Sequence, residues 1–253
     1  MIRKLPLVLI LFLVSVTLFS QEAPAASSTI LHYQFKEGPN GAQVASAVDS
    51  SVNHLDGAVH GVLTYSSDVI IGGGKFSLNA TADVDYVVLA QTAGNAPLLN
   101  QTQAFSLTVF AKPTGGTALD VIGDLIAGKL ITNGSGECLT TYGIFYSQPL
   151  QSFVAGVCGA DGSARFVWSS HTFPQNTWHR VTMKYVTRQP VTTISLLVDG
   201  VAEGMIKVRS FPGPALGNAG FQVGAANFGC DTCQFRRNFV GFIDEVKLNG
   251  HLP

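Results

Sequence analysis

The chain has 253 residues and a formal net charge of -1, with 46% hydrophobic and only 12% charged residues. An average soluble domain is about 25% charged, so Ser, Thr, Asn and Gln must carry much of this surface's solvation. The near-neutral balance and the lack of a basic run argue against nucleic acid and an anionic membrane surface as partners.

Residues 1–25 read as a signal peptide. Arg3 and Lys4 open it, residues 5–19 form an apolar core, and Ala23-Pro24-Ala25 is a small-x-small cleavage site. The core is short for a membrane span of about 20 residues and is interrupted by Pro6 and Ser15. No later stretch is long and apolar enough to span. The mature chain, residues 26–253, is therefore expected to be secreted, to the extracellular space or the periplasm, with no membrane span.

The first strand is expected over Leu31-His32-Tyr33-Gln34-Phe35, followed by a turn at Pro39-Asn40-Gly41. Residues 49–57, Asp-Ser-Ser-Val-Asn-His-Leu-Asp-Gly, form a loop dense in side-chain oxygens. Strands follow at 62–65, 85–89 and 105–113, and a flexible turn at Gly72-Gly73-Gly74. That glycine run lacks the Lys-Ser/Thr of a phosphate cradle. Further strands are expected at 125–129, at 142–146 and 152–157 as a hairpin, and at 165–169.

Residues 177–200 carry the clearest signal. Trp178, Arg180, Thr182, Lys184 and Val186 alternate with His179, Val181, Met183 and Tyr185. After Pro190, Ile194, Leu196 and Val198 alternate with Thr193, Ser195 and Leu197. Period-two alternation marks half-buried strands. Asp199-Gly200 suits a tight turn into a further strand. Two more strands, at 217–225 and 239–248, close the chain. Many short strands with frequent turn signals and no amphipathic helix already indicate an all-β sandwich.

Several segments, in this order, resemble one family. They are Asp85-Tyr86-Val87, Phe105-Ser106-Leu107 leading to Lys112-Pro113, Trp178-His179-Arg180-Val181, Leu197-Val198-Asp199-Gly200, and Phe239-Val240-Gly241-Phe242-Ile243-Asp244-Glu245-Val246. Together they resemble the laminin-G-like jelly-roll domains of the concanavalin A-like lectin/glucanase superfamily, with Phe110 where a Trp is usual. The resemblance spans roughly residues 30–250. It implies one two-sheet antiparallel β-sandwich and leaves no room for a second domain.

Four cysteines, Cys138, Cys158, Cys230 and Cys233, suit two disulfides in an oxidising compartment. Three pairings are open. A turn near Gln148-Pro149 would bring Cys138 to Cys158, leaving Cys230 with Cys233. A zinc knuckle would need a second Cys-x-x-Cys, which is absent.

Catalysis finds little support. Glucanases of this fold use a Glu-x-Asp-x-x-Glu strand, which this chain lacks. Glu37, Glu137, Glu203 and Glu245 are scattered singly, and Asp83 and Asp85 read as a structural strand entry. There is no Gly-x-Ser-x-Gly, and His32, His54 and His179 lie in no catalytic motif.

Calcium is the metal the oxygens suggest, at Asp49, Asn53 and Asp56. Asx turns would use the same residues. For a glycan, stacking aromatics and nearby polar groups are wanted. Tyr142 and Tyr146 share one strand face, and Phe166 and Trp168 another. Such rings are more often sandwich core than platform. The loop at 227–238 offers Asn227, Asp231, Gln234, Arg236 and Arg237.

The sequence thus indicates a secreted, non-catalytic binding module for carbohydrate, with calcium assistance an expectation. The alternative is a structural or adhesion protein that binds extracellular proteins. A polysaccharide hydrolase or lyase ranks last.

Overall fold

The computed structural model describes residues 27–70, 77–80, 85–116, 120–131, 140–226 and 237–251. The expected signal peptide, residues 1–25, and the glycine run at 72–74 lie outside them.

In chain order the strands are β1 (Ser27–Tyr33), β2 (Ser46–Ala47), β3 (Gly57–His60), β4 (Thr64–Ser66), β5 (Ser77–Ala80), β6 (Tyr86–Leu89), β7 (Ala104–Gly116), β8 (Asp124–Leu130) and β9 (Thr140–Ser147). They continue with β10 (Ser152–Cys158), β11 (Ala164–Trp168), β12 (His179–Arg188), β13 (Val191–Val198), β14 (Val201–Arg209), β15 (Phe221–Val223), β16 (Ala225–Ala226) and β17 (Arg237–His251). One helical turn, α1 (Ala96–Leu99), carries Pro97 in its first turn.

The strand ladders form two groups. One runs β1–β17–β7–β12–β13–β14, with β5 and β4 continuing along β17 beyond β1. The other runs β2–β3–β6–β15–β8–β9–β10–β11. The start of β17 joins them, pairing with β16 and β8.

Alternation decides what lies between the groups. From the first come Leu107, Val109, Ala111, Val181, Met183, Tyr185, Ile194, Leu196 and Val198. From the second come Tyr142, Ile144, Tyr146, Phe153, Ala155 and Val157. Phe105 links them, stacking on Tyr185 at 5.1 Å and meeting Tyr142 at 4.5 Å. Full burial of such a ring stabilises by about 2–3 kcal/mol.

The expected 177–200 hairpin is present as β12 and β13, in register from Val181 opposite Val198 to Arg188 opposite Val191. Asp199 (φ 52°) and Gly200 (φ 84°) make the tight turn into β14. The 142–157 hairpin is present as β9 and β10. One boundary moves. β1 ends at Tyr33, because Phe35 has φ 47° and turns the chain while burying its ring beside Tyr33.

The outer face of the second group is covered. Every residue of β8, β9 and β10 is buried, so these strands have apolar cover on both faces. A small second core of Ile122, Leu125, Leu130, Phe145, Val154 and Ala226 lies there, with Phe166 packed against it.

Candidate functional site

The two tyrosines expected in the binding site are corrected by the structure. Tyr142 and Tyr146 are fully buried on the inward face of β9. Their hydroxyls donate to Leu99 O (2.8 Å) and Phe173 O (2.9 Å). Burial pushes both phenols up, Tyr146 to about 12. They are core residues with satisfied tips.

Arg237 is also corrected. Its guanidinium grips Asp120 at 2.8 and 2.6 Å and donates to Gly123 O at 2.7 Å. Burial alone would raise the Asp120 carboxyl. The hydrogen bonds from Arg237 and from Gly123 and Ile122 N–H outweigh burial and hold it low. Arg237 is thus a brace between the start of β17 and the 120–123 turn. Asn227, Asp231, Gln234 and Arg236 lie outside the described residues.

The other aromatic pair does reach solvent. Among the described residues β11 pairs only with β10, as an edge strand. On its outward face Phe166 and Trp168 sit with ring centroids 5.7 Å apart. The register explains how Phe166 lies flat. Gly156, Gly143 and Gly128 occupy one row across β10, β9 and β8, leaving a trough on the outer face. Phe166 and Phe145 lie over it, and a Cβ at Gly156 would stand 2.7 Å from the Phe166 ring. Phe145 is buried and Trp168 is 38% exposed.

Trp168 donates its Nε1–H to Val121 O at 3.0 Å. Val121 follows Asp120, whose side chain is half exposed. The ledge therefore presents a fixed indole beside an anionic carboxylate. It adjoins Ala226 and Arg237, the described residues that flank segment 227–236. An oriented ring with a nearby acceptor suits the apolar face and hydroxyls of a sugar. The Phe166-Val167-Trp168 spacing is legible in the sequence, but not which aromatic pair lies outside.

The expected calcium loop is a hydrogen-bond hub. Asp49 Oδ1 accepts from His32 N (2.8 Å) and Ser51 N (2.9 Å), and its Oδ2 from Ser51 Oγ (2.7 Å) and Leu55 N (2.8 Å). Asp56 Oδ1 accepts from Asp49 N, and Asn53 donates its amide to Ile30 O. With each Asp49 oxygen facing two donors, this set does not fit a calcium cage, which needs those lone pairs. Among the described residues no group of three His, Cys, Asp or Glu side chains is placed to hold a metal ion.

His179 packs edge-on against Phe153 and Phe173 and bonds Asp199 through Nδ1 at 2.8 Å. Asp85 is buried and accepts from Val62 N, as a structural strand entry. Glu203 accepts from Ser170 Oγ (2.8 Å) and His171 N (3.1 Å), and pairs with His171 Nδ1 at 2.9 Å. Cys158 is disulfide-bonded. It shares the outward face of β10 with Val154 and Gly156. Cys138, Cys230 and Cys233 lie outside the described residues.

A family model described as the concanavalin A-like lectin/glucanases superfamily matches residues 81–251. Among curated proteins, none matches the sequence. Three of the solved structures that share the fold illustrate the likeness. The first, from work on the dependence of botulinum neurotoxin type C cell entry upon interaction with two ganglioside molecules, has TM-score 0.60 at 16% identity. The second, a botulinum neurotoxin DC binding domain in complex with SialylT, has TM-score 0.59 at 15% identity. The third, the DC binding domain in complex with rat synaptotagmin II, has TM-score 0.57 at 14% identity. Each covers 89% of this chain, which in turn covers 49% of each. The chain thus spans about half the length of these structures.

Proposed function

The chain belongs to the concanavalin A-like lectin/glucanases superfamily, and from that premise we propose that it is a secreted, non-catalytic carbohydrate-binding module. The fold alone hosts many activities, so the reading rests on the site. The observation that carries it is Trp168, exposed, locked by Val121 O and backed by Phe166. A ring held in place before binding loses little freedom on binding. Asp120 Oδ2, which faces one donor from Arg237 while Oδ1 faces three, supplies a hydroxyl acceptor beside it. Of the structures that share the fold, one comes from work on interaction with two ganglioside molecules and one is in complex with SialylT, which agrees with a glycan ligand.

Signal-peptide removal after Ala25 and the pairings Cys138–Cys158 and Cys230–Cys233 are part of this proposal. Calcium assistance is not needed by it, since the Asp49 hub does not fit the ion. The test is a glycan array of residues 26–253, wild type and Trp168→Ala, in calcium and in chelator. Selective binding by wild type that is lost in W168A supports the reading. Loss in chelator alone would restore the metal. A blank array in both conditions would overturn the carbohydrate assignment in favour of an extracellular protein partner.

A further inference from the structure

A second surface lies on the other side of the sandwich. Alternation in β12 sends Val181, Met183 and Tyr185 into the core and Lys184, Val186 and Arg188 outward. In β14, Ile206 and Val208 pack on the core while Met205, Lys207 and Arg209 are exposed. The register assembles three rows: Lys184–Ser195–Met205, Val186–Thr193–Lys207 and Arg188–Val191–Arg209. Rows lie about 7 Å apart, and β12 and β14 stand two strand spacings apart, about 10 Å.

No acid shares these rows. Among the described residues, none of the four cations has an ion pair or side-chain hydrogen bond. The nearby Glu203 is occupied by Ser170 and His171. A chain with net charge -1 therefore gathers four unneutralised cations at one end of one face. In the first row a depression of about 400 Å3 opens between Lys184, Ser195, Leu197 and Met205, with Glu203 at its side. That volume is within the usual range for small-ligand sites. Its lining offers a cation and a hydroxyl with two apolar walls, the mix a sugar ring requires.

We propose that this face binds an acidic polysaccharide. One carboxylate- or sulfate-bearing sugar sits beside Lys184 and Ser195, and the following acidic groups meet Lys207, Arg188 and Arg209. Lys184 and Arg188 are four residues apart on one strand, about 13 Å, too far for one small anion to bridge. The ligand must repeat its charge. Thr193 and Ser195 add hydroxyls along the track, and the depression gives it a seat; a bilayer would use neither. This site is independent of Trp168.

The test titrates residues 26–253 with polygalacturonate, dextran sulfate and neutral dextran, and with phosphatidylglycerol vesicles and duplex DNA. The variants are K184S/K207S and R188S/R209S. All four side chains are exposed and, among the described residues, unpaired, and thermal melts check that the fold is kept. An acidic polysaccharide binds, neutral dextran does not, affinity falls with salt as counterions are released, and each double variant weakens binding at least tenfold. Comparing the two acidic polymers identifies carboxylate or sulfate. No binding to either polymer, unchanged affinity in both variants, or equal binding to vesicles or DNA would overturn the proposal. The variants retain glycan binding at the Trp168 ledge, so failure of either site is read separately.

Discussion

Trp168 donates its indole N–H to the carbonyl of Val121 at 3.0 Å, which ties an edge strand to the turn that Arg237 clamps through Asp120. Three distant segments, 120–123, 164–168 and the start of β17, are thereby fixed to one another around the aromatic ledge. Trp168→Ala removes the exposed ring of that ledge and leaves the inward faces of the sandwich intact. Glycan affinity should fall roughly 30-fold, about 2 kcal/mol, as for an aromatic binding hot spot, with the thermal midpoint nearly unchanged. Titration of both proteins with an array-selected glycan checks this.

Gly156→Ala should disturb the same ledge from beneath. The new methyl would stand 2.7 Å from the Phe166 ring, so Phe166 must tilt away. Overpacking of this kind costs about 1–3 kcal/mol. Urea unfolding should show that loss, and glycan affinity should fall with it. An unchanged affinity would show that Phe166 does not support the site.

The Asp120–Arg237 pair should make part of the stability acid-sensitive. Net stabilisation of the Asp120 anion holds its folded pKa below the ordinary value. Its contribution is present above about pH 4 and is lost as pH falls through the folded pKa. With Asp120 half exposed, solvent screening reduces the pair to about 1 kcal/mol. Asp120→Asn should remove that amount at pH 7 and little at pH 2.5, measured by urea unfolding at the two values.

Lys129 gives the opposite sign. It is fully buried on β8, donates to Ala219 O, and burial pushes its ammonium down to about 8. Below pH 8 it is charged in both states and folding bears the full cost of burying it. Between pH 8 and 10.5 the unfolded chain holds the extra proton, so stability rises with pH, by on the order of 3 kcal/mol in all. Lys129→Met should lack this rise. The difference between the two proteins from pH 7 to 9.5 isolates Lys129 from the tyrosines, which titrate higher.

Much of the fold was legible because core strands announce themselves. Trp178 to Val198 alternates with period two, and the structure uses that alternation residue by residue. The ledge was half legible. Phe166 and Trp168 were seen to share a face, as were Tyr142 and Tyr146, but period two does not say which face is inward. Burial on both sides of β8–β10 depends on the row Gly128, Gly143 and Gly156, which only the register assembles. The basic end of the β12–β14 face was hidden for the same reason. Lys184, Arg188, Lys207 and Arg209 are never adjacent in sequence, so no basic run appears. At Asp49, oxygen density alone does not show whether lone pairs are free.

Asp49→Asn tests that last point. An amide nitrogen would confront donors such as Leu55 N–H in place of an acceptor, and bonds to a charged group are lost. A destabilisation of about 3 kcal/mol is expected, equal in calcium and in chelator. A wild-type melting temperature that drops in chelator would instead reveal an ion at this loop.

The central claim is that Trp168 is where carbohydrate sits. The chain has two tryptophans, so a Trp178→Phe background leaves Trp168 as sole reporter. Its fluorescence is followed while an array-selected glycan is added, with iodide as quencher. A saturable spectral change and loss of iodide access, at the array's affinity, is the predicted result. Saturating glycan that leaves Trp168 as exposed as before would contradict the account.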